Sequence, residues 1–180
     1  MFKSELIIFF HGFESSALTD KFTCIKHKNK FCVSVDYAKD LELVFKIYDK
    51  IVESAIHLYD TVILVGHSFG GWFANHYASK YNLKCLLIAP CLNPDFYLKD
   101  KISNINEFDF SFNQTAKEAI LFIHEKDEIL QVSDANFINN ENYHKQYFKH
   151  AKHRSCYPGE INDAINELLN IPIGLIINDE

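Results

Sequence analysis

Thr61-Val62-Ile63-Leu64-Val65-Gly66-His67-Ser68-Phe69-Gly70-Gly71 is the stretch that decides how this chain is read. The run Thr61 to Val65 is apolar and of strand length, and behind the glycines Trp72, Phe73, Ala74, Tyr77 and Ala78 recur at helical spacing. A strand that turns sharply into a helix around Gly-His-Ser-Phe-Gly reads as a nucleophile elbow, with Ser68 at its apex in a positive-φ conformation that lifts the hydroxyl clear of the backbone. In such a turn the positions two before and two after the serine approach too closely for side chains, and both are glycine, Gly66 and Gly70. The chain has six glycines, and three of them fall in this hexapeptide, which concentrates backbone freedom at one place.

Working outward, strand-like runs occur at Leu6 to Phe10, Phe31 to Val35, Thr61 to Val65, Lys84 to Ala89, Ala119 to Ile123 and, less clearly, Lys145 to Phe148. Helix-like stretches lie between them. Leu41 to Tyr59 carries a buried stripe (Val44, Ile47, Tyr48, Ile51, Ala55, Ile56, Tyr59), and further helices are expected at Leu18 to Lys28, Phe69 to Tyr81, Ser133 to Ile138 and Glu160 to Leu169. Continuous hydrophobic strands alternating with helices predict a parallel sheet covered on both faces, an α/β fold of three layers. The length of 180 residues suits a single domain spanning 1–180. Between Cys91 and Ala116 the pattern breaks into a lid-like excursion over the sheet's catalytic edge.

Composition narrows the class. An apolar content of 48% and a charged content of 23% are globular values, and no segment is long and apolar enough to span a bilayer, so no membrane partner is expected. A net charge of −6 without a basic, aromatic-interleaved stripe argues against nucleic acid. The start, Met1-Phe2-Lys3-Ser4-Glu5, runs straight into a strand and does not resemble a secretory leader. Five cysteines with no Cys-x-x-Cys spacing suggest neither a disulfide framework nor a metal cage; reduced thiols and a cytoplasmic location are expected, with no metal and no organic cofactor.

A serine hydroxyl needs a base to take its proton and an acid to orient that base. In this topology the acid follows a later strand and the histidine follows the last one. Asp127, in His124-Glu125-Lys126-Asp127-Glu128, is the expected acid. Glu128 is its nearest rival, and Asp95 and Asp109 could reach over from the excursion. His144, His150 and His153 follow the acid; His153 stands farthest beyond the last strand and is the expected base, with His150 the alternative. Two backbone donors would receive the oxyanion, from Phe69 after the serine and from Phe13 in the His11-Gly12-Phe13 loop after the first strand. His11 and Gly12 shape that turn and are expected to border the substrate, while Trp72, Phe96 and Phe110 are expected to line an apolar acyl pocket. A nucleotide site would need a glycine-rich loop after the first strand, where His11-Gly12-Phe13-Glu14 has one glycine and a carboxylate.

Together, His-Gly-Phe-Glu-Ser-Ser at 11–16, Gly-His-Ser-Phe-Gly-Gly at 66–71, Ala-Pro-Cys-Leu-Asn-Pro at 89–94, Lys-Asp-Glu at 126–128 and His153 give a chain that resembles the α/β-hydrolase superfamily, and within it the small YqiA/YcfP-like esterases. The resemblance implies a minimal six-stranded sheet in the order 2-1-3-4-5-6 and a serine carboxylesterase or thioesterase with Ser68 as nucleophile, Asp127 as acid and His153 as base. Relatives carry glycine before the acid and a glycine-rich run before the histidine, where this chain has Lys126 and His150-Ala151-Lys152. A non-catalytic binding protein on the same scaffold is therefore the alternative reading. The substrate implied is a small acyl ester. Two basic clusters, Lys21, Lys26, Lys28 and Lys30 and Lys145, Lys149, Lys152 and Arg154, raise acyl carrier protein or coenzyme A as its carrier. The chain is similar in outline to the esterases that act on pimeloyl-acyl carrier protein methyl ester in biotin biosynthesis.

Overall fold

A computed structural model describes residues 4–170; the residues before Ser4, on which the expectation about a leader partly rests, lie outside them. Six parallel strands form one sheet in the order β2-β1-β3-β4-β5-β6. They are β1 (Glu5–Phe10), β2 (Lys30–Cys32), β3 (Thr61–His67), β4 (Lys84–Ile88), β5 (Glu118–His124) and β6 (Tyr143–Phe148). Alternation along the strands assigns the two faces. Ile8, Phe10, Leu64, Leu87 and Leu121 meet α2 (Leu41–Leu58) and α3 (Phe69–Tyr81), while Ile7, Phe9, Ile63, Val65, Leu86 and Ile120 meet α5 (Pro158–Leu168) and the segment around α1 (Asp20–Thr23). Both faces of the central strands are thus covered, which is why they read as unbroken apolar runs. Among the described residues no helix is long and apolar enough to cross a membrane.

Local chemistry sets the helix ends. The Asp40 carboxylate accepts from the Leu43 N–H at 2.8 Å and starts α2. Pro158 starts α5 two residues before Glu160. Helix α1 is far shorter than Leu18 to Lys28 suggests, because the Lys30 ammonium takes the carbonyls of Phe22, Thr23 and Ile25 and turns the chain there. Strand β2 stops at Cys32 rather than Val35: the Val35 N–H donates to His11 Nε2 at 3.0 Å and leaves the sheet. The stretch expected as a helix at Ser133 to Ile138 is a 3-10 turn, Val132–Phe137.

The excursion at 91–116 divides in two. Its first half forms α4 (Pro94–Leu98), which roofs the sheet's carboxyl edge, followed by a 3-10 turn at Ile105–Glu107. Its second half is fastened to α2 and α3, with Phe110 buried between them and its polar residues mostly exposed. Trp72 Nε1 donates to the Phe110 carbonyl at 3.0 Å, Asn75 Nδ2 donates to the Asn113 carbonyl at 2.8 Å, and Phe108 stacks on Phe45.

Candidate active site at the strand ends

Ser68 sits between β3 and α3 with φ 54° and ψ −123°, a conformation that costs a non-glycine residue about 1–3 kcal/mol unless its surroundings fix it. They do. The Ser68 N–H donates to the Ile88 carbonyl at 3.0 Å, and its own carbonyl accepts from Gly71 and Cys91, each at 2.9 Å. A Cβ on Gly66 would fall on the Gly70 carbonyl, and one on Gly70 on the carbonyls of Phe10 and His11, so both positions admit only glycine. The serine is partly exposed and opens into a cavity of about 710 Å³.

His153 lines the same cavity from the loop after β6. Its Nδ1–H donates to Asp127 Oδ2 at 2.7 Å, and both side chains are about 95% buried, at 5% and 4% exposed. The other carboxylate oxygen accepts from the backbone N–H groups of Ile129 (2.9 Å) and Leu130 (2.8 Å). Burial alone would push the Asp127 carboxyl up; the His153 ring and these two amides outweigh it and hold the carboxyl below its ordinary value. Because Nδ1 carries the proton, the neutral ring presents Nε2 as an acceptor. Glu128, one residue on, takes the His153 backbone N–H at 3.2 Å instead of the ring. His144, His150, Asp95 and Asp109 are all exposed, and Asp109 is engaged by Ser111.

Phe13 and Phe69 both border the cavity beside Ser68. The Phe69 N–H is the first of α3, one of the amides a helix leaves without an internal partner. Gly12 lies close enough that an added Cβ would stand 3.3 Å from Ser68 Cβ, which lets the loop backbone approach the serine. His11 is fully buried and holds that loop: Nδ1–H donates to the Gly12 carbonyl at 2.8 Å, Nε2 accepts from Val35, and its carbonyl accepts from Tyr37 Oη at 2.7 Å.

Three expected pocket residues are elsewhere. Trp72 (1% exposed) and Phe110 (6% exposed) pack on each other, ring centroids 4.7 Å apart, against the outer side of α3, because Trp72 lies a helical turn below the serine. Phe96 is 59% exposed and packs on Tyr97 and Lys99. The apolar wall of the cavity is formed instead by Phe13, Leu18, Tyr97, Leu98, Ile129 and Leu130. The basic clusters are also partly internal: the ammonium groups of Lys21, Lys30 and Lys145 bond backbone carbonyls, leaving Lys101 and Arg154 as the exposed cations on the cavity.

Sequence reasoning assigned no role to His67 and His124, and read Lys21 only as one member of a basic cluster. Burial, reinforced by the Lys21 ammonium and the His153 ring, pushes His67 down to about 3, so it is neutral near pH 7 and donates through Nε2 to the His153 carbonyl at 3.0 Å. The one available signal was a polar residue closing an otherwise apolar strand. Among the described residues no group of three or more His, Cys, Asp or Glu is arranged to hold a metal ion.

Est1E from Butyrivibrio proteoclasticus superposes with a TM-score of 0.72 at 11% identity, covering 93% of this chain and 89% of that one. The Pyrococcus furiosus esterase Pf2001 gives 0.67 at 15%, covering 93% and 83%. Mouse alpha/beta hydrolase domain-containing protein 10 gives 0.62 at 18%, covering 91% and 89%. At these identities the likeness establishes the α/β-hydrolase fold. A search of curated proteins finds no match. The model of one family matches residues 6–122, from β1 through the serine turn to β5 and short of Asp127 and His153, and on that match the chain belongs to the uncharacterised protein family UPF0227.

Proposed function

We propose that this chain is a serine hydrolase of carboxylic esters or thioesters, of the YqiA/YcfP-like kind. The observation that carries the reading is a partly exposed serine on a strained strand-to-helix turn, opening on the same cavity as an imidazole fixed by a buried carboxylate. One of the structural neighbours, Pf2001, is named as an esterase.

In this mechanism Ser68 Oγ attacks the acyl carbonyl as His153 Nε2 takes its proton, and the Asp127 carboxylate stabilises the imidazolium that forms. The N–H groups of Phe69 and Phe13 receive the oxyanion, each donor worth roughly 3 kcal/mol in sites of this kind. The imidazolium then protonates the departing alcohol or thiol. Water, deprotonated by His153, attacks the acyl-enzyme, and the collapse of that second adduct releases the acid and restores the serine. The acyl chain would lie along Phe13, Leu98 and Leu130, and an anionic carrier such as acyl carrier protein or coenzyme A would meet Lys101 and Arg154 at the rim. Five unpaired thiols, Cys24 and Cys156 among them with sulfurs 3.9 Å apart, suit a reducing compartment such as the cytoplasm.

The test is labelling with a fluorophosphonate probe together with p-nitrophenyl ester hydrolysis. Wild type should react in both, and Ser68→Ala and His153→Ala should not. Folded wild-type protein inert in both assays would instead leave a binding protein on a hydrolase scaffold.

A further inference from the structure

The loop that carries His153 is gripped from three places in the sequence. The carbonyls of three successive residues each accept a hydrogen bond from a buried side chain: Lys152 from His124 Nδ1 at 2.8 Å, His153 from His67 Nε2 at 3.0 Å, and Arg154 from Lys21 Nζ at 2.8 Å. The rings of His67 and His153 stand 5.0 Å apart, and His67, Lys21 and Arg154 all border the cavity.

Lys21 is the unusual member. Its side chain is 3% exposed, and its ammonium has the Arg154 carbonyl and, at a longer 3.4 Å, the exposed Asp20 carboxylate. Burying an ammonium opposes folding unless its new partners replace water fully, and an apolar side chain of the same length would fill the space without that cost. Packing therefore gives no reason for a lysine here, whereas a long, flexible donor is what an otherwise unheld carbonyl beside His153 requires.

We propose that Lys21 is a positioning residue for His153: with the rings of His67 and His124 it fixes three consecutive peptide carbonyls, so that the imidazole is held through its own backbone as well as through Asp127. The proposal rests on the reading of His153 as the base. A general base must stay aligned within a fraction of an ångström, and misplacement by 1 Å costs on the order of 10²-fold in rate.

The experiment compares wild type, Lys21→Met and Lys21→Arg. Lys21→Met keeps the stem and removes the donor; its urea midpoint should equal or exceed that of wild type. For a p-nitrophenyl ester its kcat should fall on the order of 10²-fold while KM changes little, and Lys21→Arg should recover most of the loss. A readout independent of turnover is the nitrogen-15-resolved proton signal of His153 Nδ1–H, shifted downfield by its bond to Asp127, which should broaden in Lys21→Met and sharpen again in Lys21→Arg. Unchanged kcat with an unchanged signal overturns the proposal. So does a Lys21→Met chain that no longer folds, since the lysine would then serve the fold. If wild type hydrolyses nothing but the signal responds as described, the positioning stands and the esterase reading falls.

Discussion

Asp127→Asn separates an orienting carboxylate from a merely nearby one, and the structure says which way the new amide must point. Asp127 Oδ1 accepts two backbone N–H groups, from Ile129 and Leu130, and Oδ2 faces His153 Nδ1 at 2.7 Å. In the asparagine the carbonyl oxygen has to remain on the two amides, because an NH₂ there would set donor against donors. The NH₂ is then driven toward His153, where it bonds only the tautomer that has lost its Nδ1 proton and carries one on Nε2. That ring cannot accept from Ser68. The same exchange in a Ser-His-Asp site costs roughly 10⁴-fold in kcat, which is about 5.5 kcal/mol of barrier. Stability should change by less, about 1.5–3 kcal/mol for one charge-assisted hydrogen bond, so the variant stays folded. Steady-state hydrolysis of a p-nitrophenyl ester, with circular dichroism as the folding control, measures this directly. Glu128→Gln is the companion, and it should lose less than about tenfold because Glu128 touches only the backbone of His153 at 3.2 Å. An Asp127→Asn enzyme within tenfold of wild type would refute the assignment of the acid.

Three further outcomes are expected. Ser68→Gly should abolish labelling yet raise the unfolding free energy from urea titration by about 1 kcal/mol, since φ 54° is strained for serine and open to glycine; Gly70→Ala, whose methyl would fall on the carbonyls of Phe10 and His11, should lose about 3 kcal/mol or more in the same assay. Phe110→Ala should cost about 3–5 kcal/mol of stability with KM unchanged, and a raised KM at unaltered stability would return it to the pocket. His67 is held neutral by burial, with a folded value of about 3 against 6.5 unfolded, so the unfolded chain binds the extra proton between them. Its contribution is complete above pH 6.5 and lost as pH falls toward 3, at a slope approaching ~1.4 kcal/mol per pH unit. Burial shifts His11, His76 and His124 in the same direction. Urea titrations from pH 7 to 4 should therefore show falling stability, with a shallower fall in His67→Gln.

The sheet was legible from the chain because its determinants are local. The central strands β1, β3, β4 and β5 are apolar runs, the long helix α2 has its own period, and Gly66 answers a steric demand from the Gly70 carbonyl four residues away. That reasoning gave way where distant parts compete for the same backbone. Strand β2 ended early because His11 claimed the Val35 amide, and α1 ended early because Lys30 claimed three carbonyls. Trp72 and Phe110 suited an acyl pocket by composition alone; one helical turn of displacement from Ser68 put them in the core.

From its order of residues alone, then, the chain determined the parallel α/β architecture and the turn at Ser68, since periodicity and the turn's glycine signature are written in a few neighbouring residues. Only the folded arrangement decided that the Asp127 carboxylate, not that of Glu128, meets the His153 ring, and that Lys21, His67 and His124 converge on one loop. Adjacent side chains diverge in directions that spacing does not encode, and hydrogen bonds between residues 28, 86 and 133 positions apart form only once the sheet has brought its strand ends together.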